Sequence, residues 1–125
     1  EMRLAALIQK PFHGPRSMPA QAVVEMATRG GARAMGLENE IGSLEEGKKA
    51  DMVLVSLDGW HTRPQNAAGV YSQLVYQAQT SDVSATIVDG HLLMKDGHLL
   101  SIDEEKVKTA AEASLQRVCQ RTGLC

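Results

Sequence analysis

Aromatic side chains are nearly missing from this 125-residue chain; Phe12, Trp60, Tyr71 and Tyr76 are the whole set. Any core must be aliphatic, assembled from Leu, Val, Ile, Met and Ala. Cysteine is as scarce, with Cys119 and Cys125 alone at the far end, which excludes a disulfide framework of the small secreted kind. No apolar run approaches the roughly 20 residues that span a bilayer, and the first residues do not read as a secretory signal. Basic excess is missing as well: 13 basic and 15 acidic side chains leave a net charge of -2. Without a basic stripe to neutralise phosphates, nucleic acid is excluded as a partner, and a membrane is excluded with it. A cytoplasmic location is the simplest expectation.

What remains describes a globular chain. Hydrophobic residues make up 43% and charged residues 22%, the balance of a folded rather than a disordered protein. The length is one ordinary domain's worth, enough to bury roughly two thirds of the unfolded surface.

Met2, Ala5, Ala6 and Ile8 recur at helical spacing, which predicts a helix over Glu1 to Lys10. No Ser, Thr, Asp or Asn precedes it as a cap. A helix that begins uncapped predicts a chain that was cut upstream, with a frayed terminal helix as the alternative. Pro11, Gly14, Pro15 and Pro19 make 11–18 a loop. Pro19 suits the first position of a helix whose apolar face is Ala20, Val23, Val24 and Ala27. Gly30 and Gly31 weaken that helix by about 1 kcal/mol each relative to alanine. Thr28 can therefore cap a second short helix, Arg29 to Met35, which Gly36 would end in a left-handed conformation.

Leu37 to Ile41 is a connector. Met52 to Leu57 is apolar on successive positions, which predicts a strand covered on both faces. Residues 59–69, with Trp60, His61, Pro64, Asn66 and Gly69, read as an irregular loop. Val70, Leu74, Val75 and Ala78 predict a short helix to about Gln79, and 80–82 a turn. Val83 to Val88 is β-branched and reads as a strand. Asp89-Gly90 and Asp96-Gly97 supply positive φ cheaply, predicting a three-stranded meander at 83–88, 91–95 and 98–102. The pentapeptide Asp-Gly-His-Leu-Leu occurs twice, at 89–93 and 96–100. A seven-residue offset is one strand plus one turn, so this is hairpin grammar rather than a repeat architecture. Asp103 caps a last helix, with Glu104 and Glu105 in its first turn and Arg117 and Arg121 near its end, which suits the helix dipole. Val107, Ala111, Ser114, Leu115 and Val118 trace its expected buried stripe, and Gly123 stops it.

Four histidines invite a metal reading: His13, His61, His91 and His98. None forms a His-x-His or His-x-x-x-His pair. His91 and His98 fall at opposite ends of the middle meander strand, roughly 13 Å apart at about 3.3 Å per residue. Zinc needs its ligands within about 2.1 Å, so these two do not share an ion, and solvated histidines beside turns are the expectation. Cys119 and Cys125 could bridge across a helix end or bind a soft metal, but reduced thiols fit a cytoplasmic chain better. No base is arranged beside either. Gly30-Gly31 lacks the lysine-serine ending of a phosphate loop and follows no strand, so helix punctuation is the better reading. Asp51 begins a strand after a turn, where a carboxylate accepts backbone N–H bonds. Trp60 and His61 sit in a loop long enough to carry function, such as contact with a subunit partner.

Three segments together resemble the metal-dependent amidohydrolases, in particular their deaminase and chlorohydrolase branch. Ala27-Thr28-Arg29-Gly30-Gly31-Ala32-Arg33-Ala34-Met35-Gly36 resembles the family's Ala-Thr-x-x-Gly-Ala-x-Ala-Leu-Gly segment. Ile41-Gly42-Ser43-Leu44 with Gly47-Lys48-Lys49-Ala50-Asp51 resembles its Gly-Ser-Leu and Gly-Lys-x-Ala-Asp signature. Val70 to Ala78, with Leu74-Val75-Tyr76, is similar to the stretch that methylthioadenosine and S-adenosylhomocysteine deaminase-like proteins place before their terminal hairpins.

The resemblance implies an α+β fragment: the last helices of a (β/α)8 barrel (1–37), the C-terminal part of a small composite β-sandwich (38–102, with a loop and short helix at 59–80) and a C-terminal helix (103–125). It implies hydrolysis of a C–N or related bond on a purine, pyrimidine or triazine, with water activated by a divalent metal, zinc or iron. The family's metal ligands would all precede Glu1, and barrel sites are built at strand ends that this chain lacks. The chain is therefore expected to hold no catalytic, cofactor-binding or metal residue and to be inactive alone. Its expected partners are the missing N-terminal part of its own enzyme and, through a dimer surface, a second copy. The alternative is a free-standing, non-catalytic binding or assembly module whose open strand edges accept a partner strand.

Overall fold

The computed structural model describes residues 1–65 and 69–123. Of the residues named above, Asn66 and Cys125 lie outside them. Helical segments and a four-stranded antiparallel sheet make up the fold of the described residues.

The helical layer begins with α1 (Met2–Ile8), whose Ala6 is fully buried. The expected loop at 11–18 starts instead with one helical turn, α2 (Lys10–His13). Pro11 is tolerated there because a first-turn residue has no N–H obligation. Lys10 then closes the loop, its Nζ donating to the carbonyls of Pro15 and Ser17 at 3.0 Å each. Pro19 is the N-cap of α3 (Ala20–Glu25) rather than its first residue.

The predicted division at Thr28 does not occur. α3 runs on through a wide, π-type turn, Met26–Gly30, into α4 (Gly31–Ala34), with helical backbone at each junction. Thr28 caps nothing; its Oγ1 donates back to the Val24 carbonyl at 2.8 Å. Neither glycine is forced by crowding: a Cβ on Gly30 would lie 3.4 Å from the Glu25 oxygen and one on Gly31 4.0 Å from the Met26 oxygen, ordinary contacts. Gly36 does end the helix at φ 70°. A second wide turn, Gln73–Gln77, extends α5 (Val70–Ser72). Such turns are rare and local, and the 3.6-residue spacing of apolar side chains gives no sign of them.

Ala6, Val23 and Val75 form the buried centre where α1, α3 and the α5 segment meet. Met2, Ala5, Met18, Ala20, Val24 and Tyr76 pack around it, partly buried. It is an aliphatic core, as the shortage of aromatics requires, and a small one.

The sheet order is β1 (Met52–Val55), β2 (Val83–Val88), β3 (His91–Lys95), β4 (His98–Leu99). The meander holds, with its third strand cut to two residues. Both Asp-Gly turns adopt positive φ, 50° and 77° at 89–90, 49° and 81° at 96–97. β1 joins β2 with Met52 opposite Ile87, and the register slips between Leu54 and Val55. The expectation that β1 is covered on both faces fails: Val53 is 58% and Leu54 48% exposed. Continuous apolar sequence marks what a strand can bury, and among the described residues only Met52 and Val55 of β1 are partly covered.

The last helix, α6 (Glu104–Thr122), is capped as expected, Asp103 Oδ1 accepting from the Lys106 N–H at 3.0 Å, and closed by Gly123 at φ 67°. Its expected buried stripe is not buried; Val107, Leu115 and Val118 are exposed. No helix is long and apolar enough to cross a membrane among the described residues.

The contrast between the two stripes is measurable. Val23→Ala is expected to lower the unfolding free energy by about 2 kcal/mol, through lost burial and the cavity left behind. Val107→Ala should change it by less than about 0.5 kcal/mol. Urea unfolding of both variants checks this; equal costs would contradict the packing described.

Candidate functional site

The sequence singled out two regions, the Gly-Ser-Leu/Gly-Lys segment and the Trp60–His61 loop. Each becomes a defined cluster.

At the first, the backbone of Gly42 lies directly on the continuous helix. A Cβ there would stand 2.7 Å from Ala32 Cβ and 3.2 Å from the Thr28 oxygen, and φ is 90°. Only glycine meets both demands. Beyond it, Lys48 turns inward. Its Nζ donates to the Glu38 carbonyl at 2.7 Å and Ser43 Oγ at 2.8 Å, with Glu45 at 3.8 Å. Ser43 first, then Lys48, holds the Glu45 carboxyl below the usual range. Lys49 pairs with Glu40 at 2.7 Å, and that contact raises its ammonium above the ordinary value. Asp51 Oδ1 accepts the Asp89 N–H at 2.7 Å, the backbone role its position suggested, and Gly90 N–H reaches the Ala50 carbonyl at 3.1 Å.

A cleft of about 360 Å³ remains between the helix, the 41–44 loop and the start of β1, lined by Ala27, Gly31, Met35, Leu44 and Met52 among others. Asp51 is its one titratable lining residue among the described residues, and that carboxylate is engaged. The cleft has no acid–base pair and no nucleophile beside a base. In this geometry the signature residues contact one another and the backbone around them.

At the second cluster, residues 59–65 are pinned from below. A single turn, Trp60–Thr62, buries Thr62 completely. Thr62 Oγ1 lies within 2.7 Å of the Leu57 and Gly59 carbonyls, and buried Gln73 donates from Nε2 to the Thr62 carbonyl at 3.1 Å. His61 Nε2 lies 2.8 Å from Asp82 Oδ2, across 21 residues. The imidazole folds back over Gly59, where a Cβ would be 2.5 Å from its Cε1. Asp82 also accepts the Gln79 N–H at 2.8 Å. His61 first, then that N–H, holds the Asp82 carboxyl below its ordinary value. The sequence reading weighed His61 as a metal ligand or loop residue and missed Asp82; a carboxylate opening a strand 21 residues away leaves no local pattern. Trp60 beside it is almost fully exposed.

His13 is exposed at the end of α2, and His91 and His98 are exposed at the two ends of β3's pairing, opposite Val88 and Lys95. Among the described residues, no three His, Cys, Asp or Glu side chains converge to hold a metal ion. Cys119 is disulfide-bonded, so the expected reduced thiol is corrected there. It had been argued from compartment, which composition alone does not fix.

Two variants test these clusters. Gly42→Ala should cost about 2 kcal/mol of stability or more, from positive φ alone with the clash in addition. For Asp82, a depressed carboxyl contributes stability above its unfolded value, and this is lost as pH falls through the folded one. Asp82→Asn should therefore be less stable than the parent near pH 7, and the two urea midpoints should converge as the pH drops below the ordinary carboxylate range. A constant gap would show that His61 and Gln79 do not act on the charge.

Residues 1–93 match the amidohydrolase family. The chain is 47% identical over 121 residues to the 5-methylthioadenosine/S-adenosylhomocysteine deaminase of Desulforudis audaxviator, covering 96% of this chain and 28% of that protein. It is 46% identical to the 5'-deoxyadenosine deaminase of Methanosarcina acetivorans, covering 94% and 27%. Among solved structures, an adenosine deaminase from Xanthomonas campestris with bound zinc superposes with a TM-score of 0.87 at 32% identity, over 96% of this chain and 27% of that one. The atrazine chlorohydrolase from Arthrobacter aurescens complexed with zinc and atraton gives 0.77 at 28% identity, over 90% and 25%. The chain thus spans little more than a quarter of the length of the relatives it matches. With its mixed helices and small antiparallel sheet, it belongs to the amidohydrolase family.

Proposed function

We propose that this chain is the C-terminal structural portion of a cytoplasmic hydrolase that displaces an amino or related group from a heterocycle, with adenosine-type purines the first substrates to test. In this reading residues 1–37 are the last helices of a (β/α)8 barrel, 38–102 one share of a composite β-sandwich, and 103–125 a closing helix. The divalent metal, zinc or iron, and every catalytic residue belong to the preceding part of the enzyme. This portion contributes scaffold and a surface for a second subunit.

The observation that carries the reading is the surface left uncovered. The chain exposes 9555 Å² at 13.5 kDa, against about 6,500 Å² for a self-contained monomer of that mass. Apolar residues supply much of the excess, on α1 (Leu4, Leu7), β1 (Val53, Leu54) and α6 (Leu115). Uncovered faces of this extent belong to interfaces. The names of the relatives support the chemistry, since they include purine-nucleoside deaminases and a triazine hydrolase.

A chimera tests it. The chain would replace the matching segment of the Desulforudis audaxviator deaminase, and deamination of 5'-methylthioadenosine would be followed by the change in purine absorbance. The chimera is expected to turn over and to retain metal, and the chain alone to do neither. Turnover by the chain alone, or a chimera that folds and binds metal without activity, would contradict the proposal.

A further inference from the structure

The chain contains three Asp-Gly steps, at 58–59, 89–90 and 96–97. At such a step the glycine nitrogen can attack the aspartate side-chain carboxyl. A C–N bond forms, water leaves, and a five-membered succinimide results. Water then opens the ring at either carbonyl and regenerates aspartate or isoaspartate. The water released equals the water consumed, and no oxidant or co-reactant is needed.

Two of the steps form a natural comparison. Both lie in the pentapeptide Asp-Gly-His-Leu-Leu, so their local chemistry is alike, and their turns share φ values to within 4°. The fold treats them differently. At the first, the attacking Gly90 N–H is held by the Ala50 carbonyl, and the Asp89 N–H is held by the Asp51 carboxylate. The turn joins β2 to β3 inside the sheet. At the second, Asp96 N–H donates to the Ser84 carbonyl, but no described residue accepts from Gly97 N–H. The turn leads only to β4, a two-residue edge strand with both residues exposed. Opening it means releasing the pairs Met94–Leu99 and Lys95–His98 and the Leu100 N–H bond to the Leu93 carbonyl at 2.8 Å, and short edge pairings open at little cost. At the third step, the attacked group is held, the Asp58 carboxylate pairing with Arg63 at 3.0 Å, and the His61 ring lies over Gly59.

We infer that Asp96–Gly97 is a site of spontaneous isoaspartate formation, and that the fold protects Asp89 and Asp58. Isoaspartate puts one extra methylene into the main chain. At 96 it would break the tight turn and release β4, and with it the anchorage of the segment leading to α6.

The test ages the intact chain at neutral pH and 37 °C, in native buffer and in concentrated urea, and quantifies isoaspartate at each position by electron-transfer fragmentation. In native buffer, conversion at 96 should exceed that at 89 and 58 by at least about tenfold, the effect of one neutral and one charge-assisted hydrogen bond. In urea, 89 and 96 should convert within about twofold of each other, as alike local sequences require. Asp51→Asn weakens the anchor on Asp89 and should raise conversion at 89 while leaving 96 unchanged. Equal or faster conversion at 89 in native buffer would overturn the inference. So would an aged chain in which 96 stays intact natively but converts in urea.

Discussion

The contact on which this architecture turns is backbone against backbone, Gly42 on the helix that carries Thr28 and Ala32. The loop that follows it delivers β1 to the sheet, while the helix behind it delivers Val23 to the aliphatic centre. Lys48 braces the loop from inside by donating to one carbonyl and one hydroxyl. A buried cation is costly unless it is fully engaged, and here the engagement also fixes the curvature of residues 38–48. Asp51 completes the frame by holding the first Asp-Gly turn. The family signature is therefore an assembly instruction: it states how a helix and a sheet meet, and it says nothing of substrate.

Much of this was legible in the residues. The tight turns, the cap at Asp103, the left-handed glycines at 36 and 123 and the backbone role of Asp51 all follow from local chemistry, and local chemistry survives in any context. The family itself was legible from three short segments. What failed was whatever depended on covering. β1 and α6 are patterned as buried elements, and their apolar faces stand open. Pattern reports what a segment is able to bury, and occupancy depends on what packs against it. The two wide turns failed for another reason: an α-helix and its π-type variant draw on the same residues, and the difference lies in packing. The His61–Asp82 contact was invisible because its members share no spacing.

The reading as a portion of a larger hydrolase gives these failures one cause. A chain with two side-chain clusters, around Lys48 and around Asp82, and a small core is ordered at its joints and uncovered at its faces. That is the expected state of a piece cut from a composite layer, where strands from distant parts of a polypeptide complete one sheet.

The wide turn at Met26–Gly30 has one more effect. Adding a residue to a single helical turn resets the angular phase of everything beyond it, by about 100° per residue at 3.6 residues per turn. One rod can thereby serve two clients, with Val23 aimed at the helices and Ala32 at the glycine of the loop. Any realignment that shortens the 26–30 segment by one position would rotate the second client's docking side out of reach, so length in this stretch is as constrained as identity.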